Sequence, residues 1–160
     1  MLVLSPYKIT DFKSYGAFLF NYFSHLRLQS TNKIKDLHID FSRALERLHE
    51  AIKEDISDKG GIVADGTIQR FEFTFELAWK LARAALAHDG IDADTPRLVI
   101  KEAYRAKLIQ DGEAWIDMLE DRNRSSHIYD EKQAFKIYSK IKSSHFKILE
   151  DFEKTIKNQQ

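Results

Sequence analysis

An arginine, a histidine and a tyrosine lie close together in the stretch Arg122-Asn-Arg-Ser-Ser-His127-Ile-Tyr129. The guanidinium group of arginine is always charged, and its planar fork of N–H donors fits a phosphate group. Histidine can take up or release a proton near neutral pH. Together these two side chains can transfer a proton and stabilise charge on a phosphoryl group without a metal ion.

The surrounding sequence predicts that Arg122 and His127 lie where one helix ends and the chain turns. Asp111 and Gly112 indicate a helix start, and apolar residues at 115, 118 and 119 follow with the spacing of one helix face. Asp130, with a glutamine three residues later, predicts the N-cap of the next helix. Residues five apart in one ideal helix are separated by about 140° around its axis, so a continuous helix would direct the two side chains apart. A helix end, or a second copy of the motif across a dimer interface, removes this difficulty.

This stretch resembles the R-x4-H-x-Y motif of HEPN-superfamily proteins. The branch it resembles most is the nucleotidyltransferase substrate-binding family, which includes the HepT toxins of MntA–HepT toxin–antitoxin pairs. The resemblance extends from about residue 36 to about residue 152, and it includes residues 69–80 (QRFEFTFELAWK) and 115–123 (WIDMLEDRN). An R-x4-H spacing alone arises often by chance, whereas these flanking segments make the resemblance specific.

The resemblance implies a metal-independent endoribonuclease without a cofactor. Arg122 would stabilise the pentacoordinate phosphate, and His127 would act in general acid–base transfer as the 2′-hydroxyl attacks. Asn123 would orient the site. Tyr129 matches the tyrosine that a partner minimal nucleotidyltransferase, the antitoxin, modifies with AMP to silence the toxin. In the family a homodimer brings two copies of the motif into one cleft, where the RNA substrate would bind.

Two other hypotheses remain open. The protein could be a non-catalytic subunit that binds a nucleotide or substrate for the same nucleotidyltransferase, or a structural helical dimer. From residue chemistry alone, Arg122 could form a surface ion pair with Asp121 or Glu120. His127 could lie at a helix C-terminus, where its positive form is favoured. Tyr129 could be half-buried with a solvated hydroxyl group.

Other side chains that could do chemistry have simpler interpretations. Trp79 and Trp115 occur at helical spacing with aliphatic residues, so we expect them in the core. Glu72 and Glu76, one helical turn apart, favour surface ion pairs with basic neighbours. Arg124 holds no motif position and is interpreted as a solvated charge. The five remaining histidines show no metal-ligand spacing with a second histidine or a cysteine, so we expect no metal site.

The composition is that of one ordinary globular domain. The chain has 160 residues, 43% of them hydrophobic, and its 25 basic and 25 acidic residues give a formal net charge of zero. No global field therefore attracts nucleic acid, and any contact with RNA must be local. The absence of cysteine excludes disulfides and fits a reducing cytoplasm. No apolar run approaches the roughly 20 residues of a membrane span.

Apolar periodicity predicts an all-α protein, an up-and-down bundle of four to five helices that resembles the HEPN fold and covers residues 37–157. Two glycines in Asp58-Lys-Gly-Gly61 predict a turn, and a helix from about residue 65 to residue 88 carries two apolar stripes. Such a helix is either central in the bundle or shared with a second subunit. Thr95 ahead of Pro96 predicts the cap and the first position of another helix. One long final helix is predicted by residues at the spacing of one helix face: Ala134, Ile137, Tyr138, Ile141, His145, Ile148 and Phe152. Residues 1–36 form an aromatic-rich N-terminal extension, interpreted as an added helix on the bundle, a partner-binding or dimer-extending helix, or a disordered tail.

Overall fold

A computed structural model of the protein describes residues 12–55, 60–125 and 130–159. Within these ranges the chain forms helices and no strand, which confirms the all-α prediction. The elements are α1 (Phe12–Lys53), α2 (Gly60–His88), α3 (Pro96–Arg105), α4 (Gly112–Ser125), α5 (Glu131–Lys140), a π-helical turn (Ile141–His145) and α6 (Phe146–Asn158). No helix in the described ranges is both long and apolar enough to cross a membrane.

Helix α2 is the central element of an up-and-down bundle. It packs against α1, α3, α4 and α5. Helix α1 runs antiparallel to α2, as two contacts show. The Thr74 hydroxyl donates to the Ala44 carbonyl at 3.3 Å, and further toward the end of α2 His88 Nδ1 lies 3.3 Å from Oγ of Ser30, which precedes Ala44. The central position of α2 in the bundle accounts for one of the two apolar stripes predicted on this helix, since Phe71, Phe75 and Ala78 of that stripe are fully buried. The other stripe is covered incompletely, and Phe73 remains 62% exposed.

Four aromatic side chains from four helices join in the core. The Trp115 ring of α4 lies 5.1 Å from the Phe152 ring of α6 and 5.9 Å from the Phe75 ring of α2, measured between centroids. The Phe152 ring in turn meets the Phe41 ring of α1 edge-on at 5.6 Å. All four are at least 98% buried, and each such aromatic pair adds about 0.5–1.5 kcal/mol beyond the burial of its surface. The predicted core position of Trp115 is therefore confirmed, and this ring anchors α4.

The predicted helix starts are confirmed at three N-caps. The Thr95 hydroxyl accepts a hydrogen bond from the Leu98 amide at 3.3 Å, ahead of proline at the first position of α3. Asp111 Oδ1 accepts from the Ala114 amide at 3.0 Å at the start of α4. Asp130 accepts from the amide two residues later and caps α5. These side chains satisfy amides that have no partner inside the helix.

One predicted boundary, the start of α2, differs from the structure. Gly60 and Gly61 lie in the first turn of α2 instead of in a turn of the chain, and residues 56–59 are outside the described ranges. Because a Cβ atom at Gly60 would lie 3.1 Å from the Phe135 ring of α5, the glycine serves close packing here. Helix α1 continues without interruption from Phe12 to Lys53, across the predicted boundary between residues 36 and 37.

The final helix contains a π-helical turn that periodicity did not predict. The turn, Ile141–His145, holds one residue more than an α-helical turn and so moves the buried face of the following helix by about one position. Leu149 is fully buried, whereas Ile148, predicted on that face, is only partly buried. The π turn therefore sets which side chains of α5 and α6 reach α4.

Candidate functional site

Helix α4 holds the motif arginine at its exposed C-terminal end. Its inner face, which includes Trp115, Met118 and Leu119, is buried against the core. Arg122 follows in the last turn, and its side chain is 38% exposed. The Ser125 hydroxyl donates to the Arg122 carbonyl at 2.7 Å and so satisfies an acceptor that the helix leaves free at its end.

Arg122 is held by an acidic residue of α2 and contacts a second candidate residue. Its Nη2 lies 3.6 Å from Glu76 Oε2, and its Nη1 donates to Asn123 Oδ1 at 3.3 Å. The structure thus brings together two predicted site residues, Arg122 and Asn123. The partner is Glu76, so neither of the ion pairs considered from the sequence, with Asp121 or with Glu120, holds Arg122. A guanidinium group has five N–H donors, and these two contacts leave donors for a phosphate.

Glu76 is itself held in place by two neighbours on α2. Trp79 Nε1 donates to Glu76 Oε2 at 3.0 Å, and Lys80 Nζ lies 3.1 Å from Glu76 Oε1, which confirms the predicted ion pair with a basic neighbour. Partial burial alone would raise the pKa of Glu76, but hydrogen bonds from Trp79 and Lys80 and the charges of Lys80 and Arg122 lower it. Glu76 therefore remains a carboxylate facing the arginine at neutral pH.

A second carboxylate of α2 holds the same turn of α4. Glu72 Oε1 also lies within hydrogen-bond distance of the Ser125 hydroxyl, which has a single proton to share between this carboxylate and the Arg122 carbonyl. Glu72 and Glu76, one turn apart, thus contact both ends of the segment from Arg122 to Ser125. Sequence reasoning missed this pairing, since the partners are about 50 residues apart and no local pattern links them.

An open groove adjoins Arg122 along α1 and α2. The groove has a volume of about 680 Å³. Basic side chains, acidic side chains and one exposed aromatic ring line it: Arg47, Glu50, Arg70, Glu72, Phe73, Glu76 and Arg122. Arg70 Nη1 donates to the Arg47 carbonyl at 2.5 Å and lies 3.5 Å from Glu50 Oε2, so this second arginine is fixed on the wall of the groove. The groove is large enough for a nucleotide-sized ligand.

The other two predicted site residues, His127 and Tyr129, lie outside the described residues. The chain is described up to Ser125 at the end of α4 and again from Asp130, the N-cap of α5. The roles of His127 and Tyr129 beside Arg122 stay predictions from the sequence.

On its inner side, α4 carries a buried ionic cluster that sequence reasoning did not find. Asp121, which precedes Arg122, and His145 of the π turn are each 99% buried. His145 Nε2 donates to Asp121 Oδ2 at 2.9 Å, and the ammonium group of Lys140 contacts the same carboxylate oxygen. Lys140 also donates to Asp117 Oδ1 at 2.6 Å. A histidine on the apolar stripe of the final helix was the available signal, because a buried polar group requires a partner.

Charges in this cluster stabilise one another. Burial alone would raise the pKa of Asp121, but hydrogen bonds from His145 and Lys140, together with their charges, lower it. Burial alone would lower the pKa of Lys140, and hydrogen bonds to Asp117 and Asp121 raise it. One ligand atom each from Asp117, Asp121 and His145 lies within 4.8 Å of the others, a spacing that could hold a metal ion. The Lys140 ammonium group already contacts both carboxylates and supplies the positive charge there.

A comparison with known protein families identifies the family to which the chain belongs. The family described as "Nucleotidyltransferase substrate binding protein like" matches residues 36–158. The chain belongs to this family. The match includes all of α2 to α6 and most of the bundle part of α1, and it confirms the family that the resemblance suggested. Residues of α1 before position 36 lie outside the matched segment.

Individual relatives agree with this assignment. A curated protein of Haemophilus influenzae, "Probable ribonuclease HepT", is 36% identical over 81 residues, which are 48% of this chain and 56% of that protein. The chain thus spans little more than half the length of the curated relative it matches. Its fold is similar to that of a Thermus thermophilus protein, with a TM-score of 0.59 and 30% identity over 73% of this chain and 92% of the other.

A second solved structure supports the same fold. It is a Haemophilus influenzae protein described as revealing the fold of a substrate-binding domain of a nucleotidyltransferase, with a TM-score of 0.64 and 26% identity. The similarity covers 76% of this chain and 98% of that protein. Nearly the whole of the smaller neighbour therefore corresponds to the helical bundle of this chain.

Proposed function

We propose that this protein is a HEPN-type toxin subunit, a metal-independent endoribonuclease. The observation that carries the proposal is the setting of Arg122: a partly exposed guanidinium group at a helix end, held by Glu76 beside an open groove. The 36% identity to a protein named as a probable ribonuclease supports the same activity.

The proposed reaction is a transesterification within the RNA backbone. A general base at the motif takes the proton of the 2′-hydroxyl, the 2′-oxygen attacks the adjacent phosphorus, and the 5′-oxygen leaves with a proton. The products are a 2′,3′-cyclic phosphate and a free 5′-hydroxyl. His127 transfers the proton. Arg122 stabilises the negative charge on the pentacoordinate phosphate, and Asn123, through its contact with Arg122 Nη1, orients the guanidinium group.

The active form is a homodimer in which two copies of the motif share one cleft. The partly uncovered second face of α2 supports this arrangement. Phe73 is 62% exposed, Ile62, on the same helix, is 74% exposed, and Phe73 lines the groove that contains Arg122. A face of this kind fits a second subunit next to the site, because large apolar side chains exposed at a groove are typical of protein interfaces.

A partner nucleotidyltransferase acts as the antitoxin. The family description and the Haemophilus influenzae structure, described as a substrate-binding domain, both connect this fold to a nucleotidyltransferase. In the proposal the partner transfers AMP to the hydroxyl group of Tyr129, two residues after His127. The added nucleotide places a phosphate and a base beside the motif, which blocks RNA from Arg122.

The test is RNA cleavage by the purified protein in the presence of EDTA, after mass spectrometry has shown that Tyr129 is unmodified. Wild-type protein is expected to cleave, and Arg122→Ala and His127→Ala are expected to lose cleavage while remaining folded. Incubation with the partner and ATP should add AMP to the wild type and stop cleavage, whereas Tyr129→Phe should stay active. Absence of cleavage by the unmodified wild type, across several classes of RNA, would overturn the proposal.

A second function is favoured by the structural neighbour from Haemophilus influenzae, which is described as a substrate-binding domain of a nucleotidyltransferase. In this alternative the subunit binds a nucleotide or substrate in the groove beside Arg122 and cleaves nothing. Titration calorimetry with ATP would then detect binding that strengthens when the partner is present and weakens in Arg122→Ala. Expression of the protein alone would cause no growth arrest, with or without His127.

A further inference from the structure

The end of α4 is fixed from two sides. Glu72 and Glu76 of α2 contact its exposed side through Ser125 and Arg122. On the opposite side, Asp121 is buried and contacts Lys140 and His145 of the final helix. Since Asp121 and Arg122 are consecutive, a shift of the Asp121 carboxylate moves the backbone that carries the arginine.

We infer that Asp121, Lys140 and His145 form a buried ionic clamp that positions the last turn of α4, and with it Arg122. Its consequence for RNA cleavage rests on the function proposed above, whereas its effect on the helix end does not. Asp121, Lys140 and His145 are positioning residues, since none of the three lines the groove beside Arg122.

The π turn makes this clamp possible. Lys140 and His145 are five residues apart, and in an ideal α-helix such residues are separated by about 140° around the axis. Both nevertheless contact Asp121 Oδ2. The wider π turn, which begins immediately after Lys140, reduces this angle and brings both donors to one oxygen. π-Helical turns occur frequently at functional sites, and here the distorted turn provides one of the two donors.

Packing fixes the orientation of the histidine. The Phe71 ring of α2 stacks on the imidazole ring of His145, with centroids 5.3 Å apart and an interplanar angle of 19°. Ser144 Oγ lies 3.5 Å from His145 Nδ1 and donates to the Lys140 carbonyl at 3.0 Å. The imidazole therefore cannot turn away from Asp121 without displacing a core ring. This rigidity distinguishes the clamp from an exposed ion pair, in which both side chains can move.

The two basic groups of the clamp are not equivalent. Lys140 contacts both Asp117 and Asp121, and its side chain is 36% exposed, so its ammonium group can also form hydrogen bonds with water. His145 is buried, and its Nε2 faces the Asp121 carboxylate. Loss of the histidine donor therefore leaves Oδ2 of the buried Asp121 carboxylate in contact with Lys140 alone, a group that is partly exposed to water. The end of α4 then gains freedom to move.

The test compares His145→Gln with His145→Leu in the full-length chain. The amide group of glutamine keeps an N–H donor near the position of Nε2, whereas leucine has a similar size and no donor. Hydrogen–deuterium exchange of the amides of residues 122–125 reports local opening of the helix end. His145→Leu is expected to accelerate this exchange and His145→Gln to keep it close to the wild type. If the leucine variant does not fold, Lys140→Met, at the exposed rim, gives the same comparison against Lys140→Arg.

Cleavage kinetics provide the second readout. A displacement of a catalytic group by 1 Å can lower the rate about 100-fold, so kcat of His145→Leu should fall by about that factor while KM stays constant and glutamine restores kcat. Ile156→Val, in the buried face of α6, is the control for general destabilisation and should change neither exchange at 122–125 nor kcat. Equal exchange in the leucine, glutamine and wild-type proteins would refute the clamp. If the wild type does not cleave RNA, the proposed function fails, and the exchange data alone decide the inference.

Discussion

Replacement of Arg122 by alanine should separate activity from stability. The ion pair between Arg122 and Glu76 spans 3.6 Å, and its side chains are 38% and 32% exposed. Exposed pairs contribute about 0.2–1 kcal/mol to folding. A loss of 1 kcal/mol lowers the Tm by about 2–4 °C in a chain of this size. Arg122→Ala is therefore expected to lower the Tm by no more than about 4 °C.

The predicted effect on catalysis is much larger. Removal of one group that stabilises charge in the transition state lowers kcat about 10²–10³-fold. Initial rates of RNA cleavage with EDTA, and differential scanning fluorimetry on the same preparations, measure the two effects. Arg124→Ala is the matched control: this arginine lies on the same turn, 60% exposed and 3.6 Å from Asp121. It should retain cleavage at a similar Tm.

Two results would refute this reasoning. If Arg122→Ala and Arg124→Ala lose cleavage to the same extent, Arg122 acts only as one of several positive charges near RNA. If Arg122→Ala instead lowers the Tm far more than Arg124→Ala, the ion pair with Glu76 has a structural role that its exposure does not indicate. The double variant with Glu76→Gln would then show how much of the loss comes from that pair.

Three further predictions concern the assembly and the stability of the bundle. Phe73→Glu should convert a dimer into a monomer in light scattering after gel filtration, whereas Tyr104→Glu, on the exposed side of α3, should not; a dimer in both would exclude this face of α2 from the interface. Asp121 has a lowered pKa in the folded state, so its stabilisation is complete above the unfolded pKa of about 3.9 and is lost as the pH falls through the folded pKa. The Tm of Asp121→Asn should accordingly decline less than that of the wild type below about pH 4, and parallel declines would argue against the buried pair. Thr95→Ala should lower the free energy of unfolding by about 0.5–2 kcal/mol in urea titrations, because it removes the N-cap of α3; an unchanged midpoint would mean that Pro96 alone fixes that helix start.

Local signals in the sequence predicted the helices well. The caps at Thr95, Asp111 and Asp130 depend on bonds that reach no further than three residues, so the pattern of residue types contains them. Apolar periodicity likewise predicted the buried face of α2, because a regular helix presents the same residues to its neighbours along its whole length.

Interactions between distant elements could not be read in this way. The sequence offered Asp121 and Glu120 as partners for Arg122, yet the partner, Glu76, comes from a helix 46 positions earlier. Asp121 looked like a surface residue and is buried, because Lys140 and His145 reach it from the final helix. The π turn alters helical periodicity itself, so an interpretation that assumes 3.6 residues per turn assigns Ile148 to a position that Leu149 occupies.

The uninterrupted course of α1 has a practical consequence for the N-terminal extension. The helix has 42 residues and thus a length of about 63 Å. The family match begins at residue 36, inside this rod. A protein shortened to start there would begin in mid-helix, with up to four backbone amides deprived of their acceptors and no cap in place. The same continuous helix also carries Phe41 and Leu48, which are fully buried in the core. The part of α1 before residue 36 is therefore joined rigidly to the core of the bundle, because one uninterrupted helix contains both.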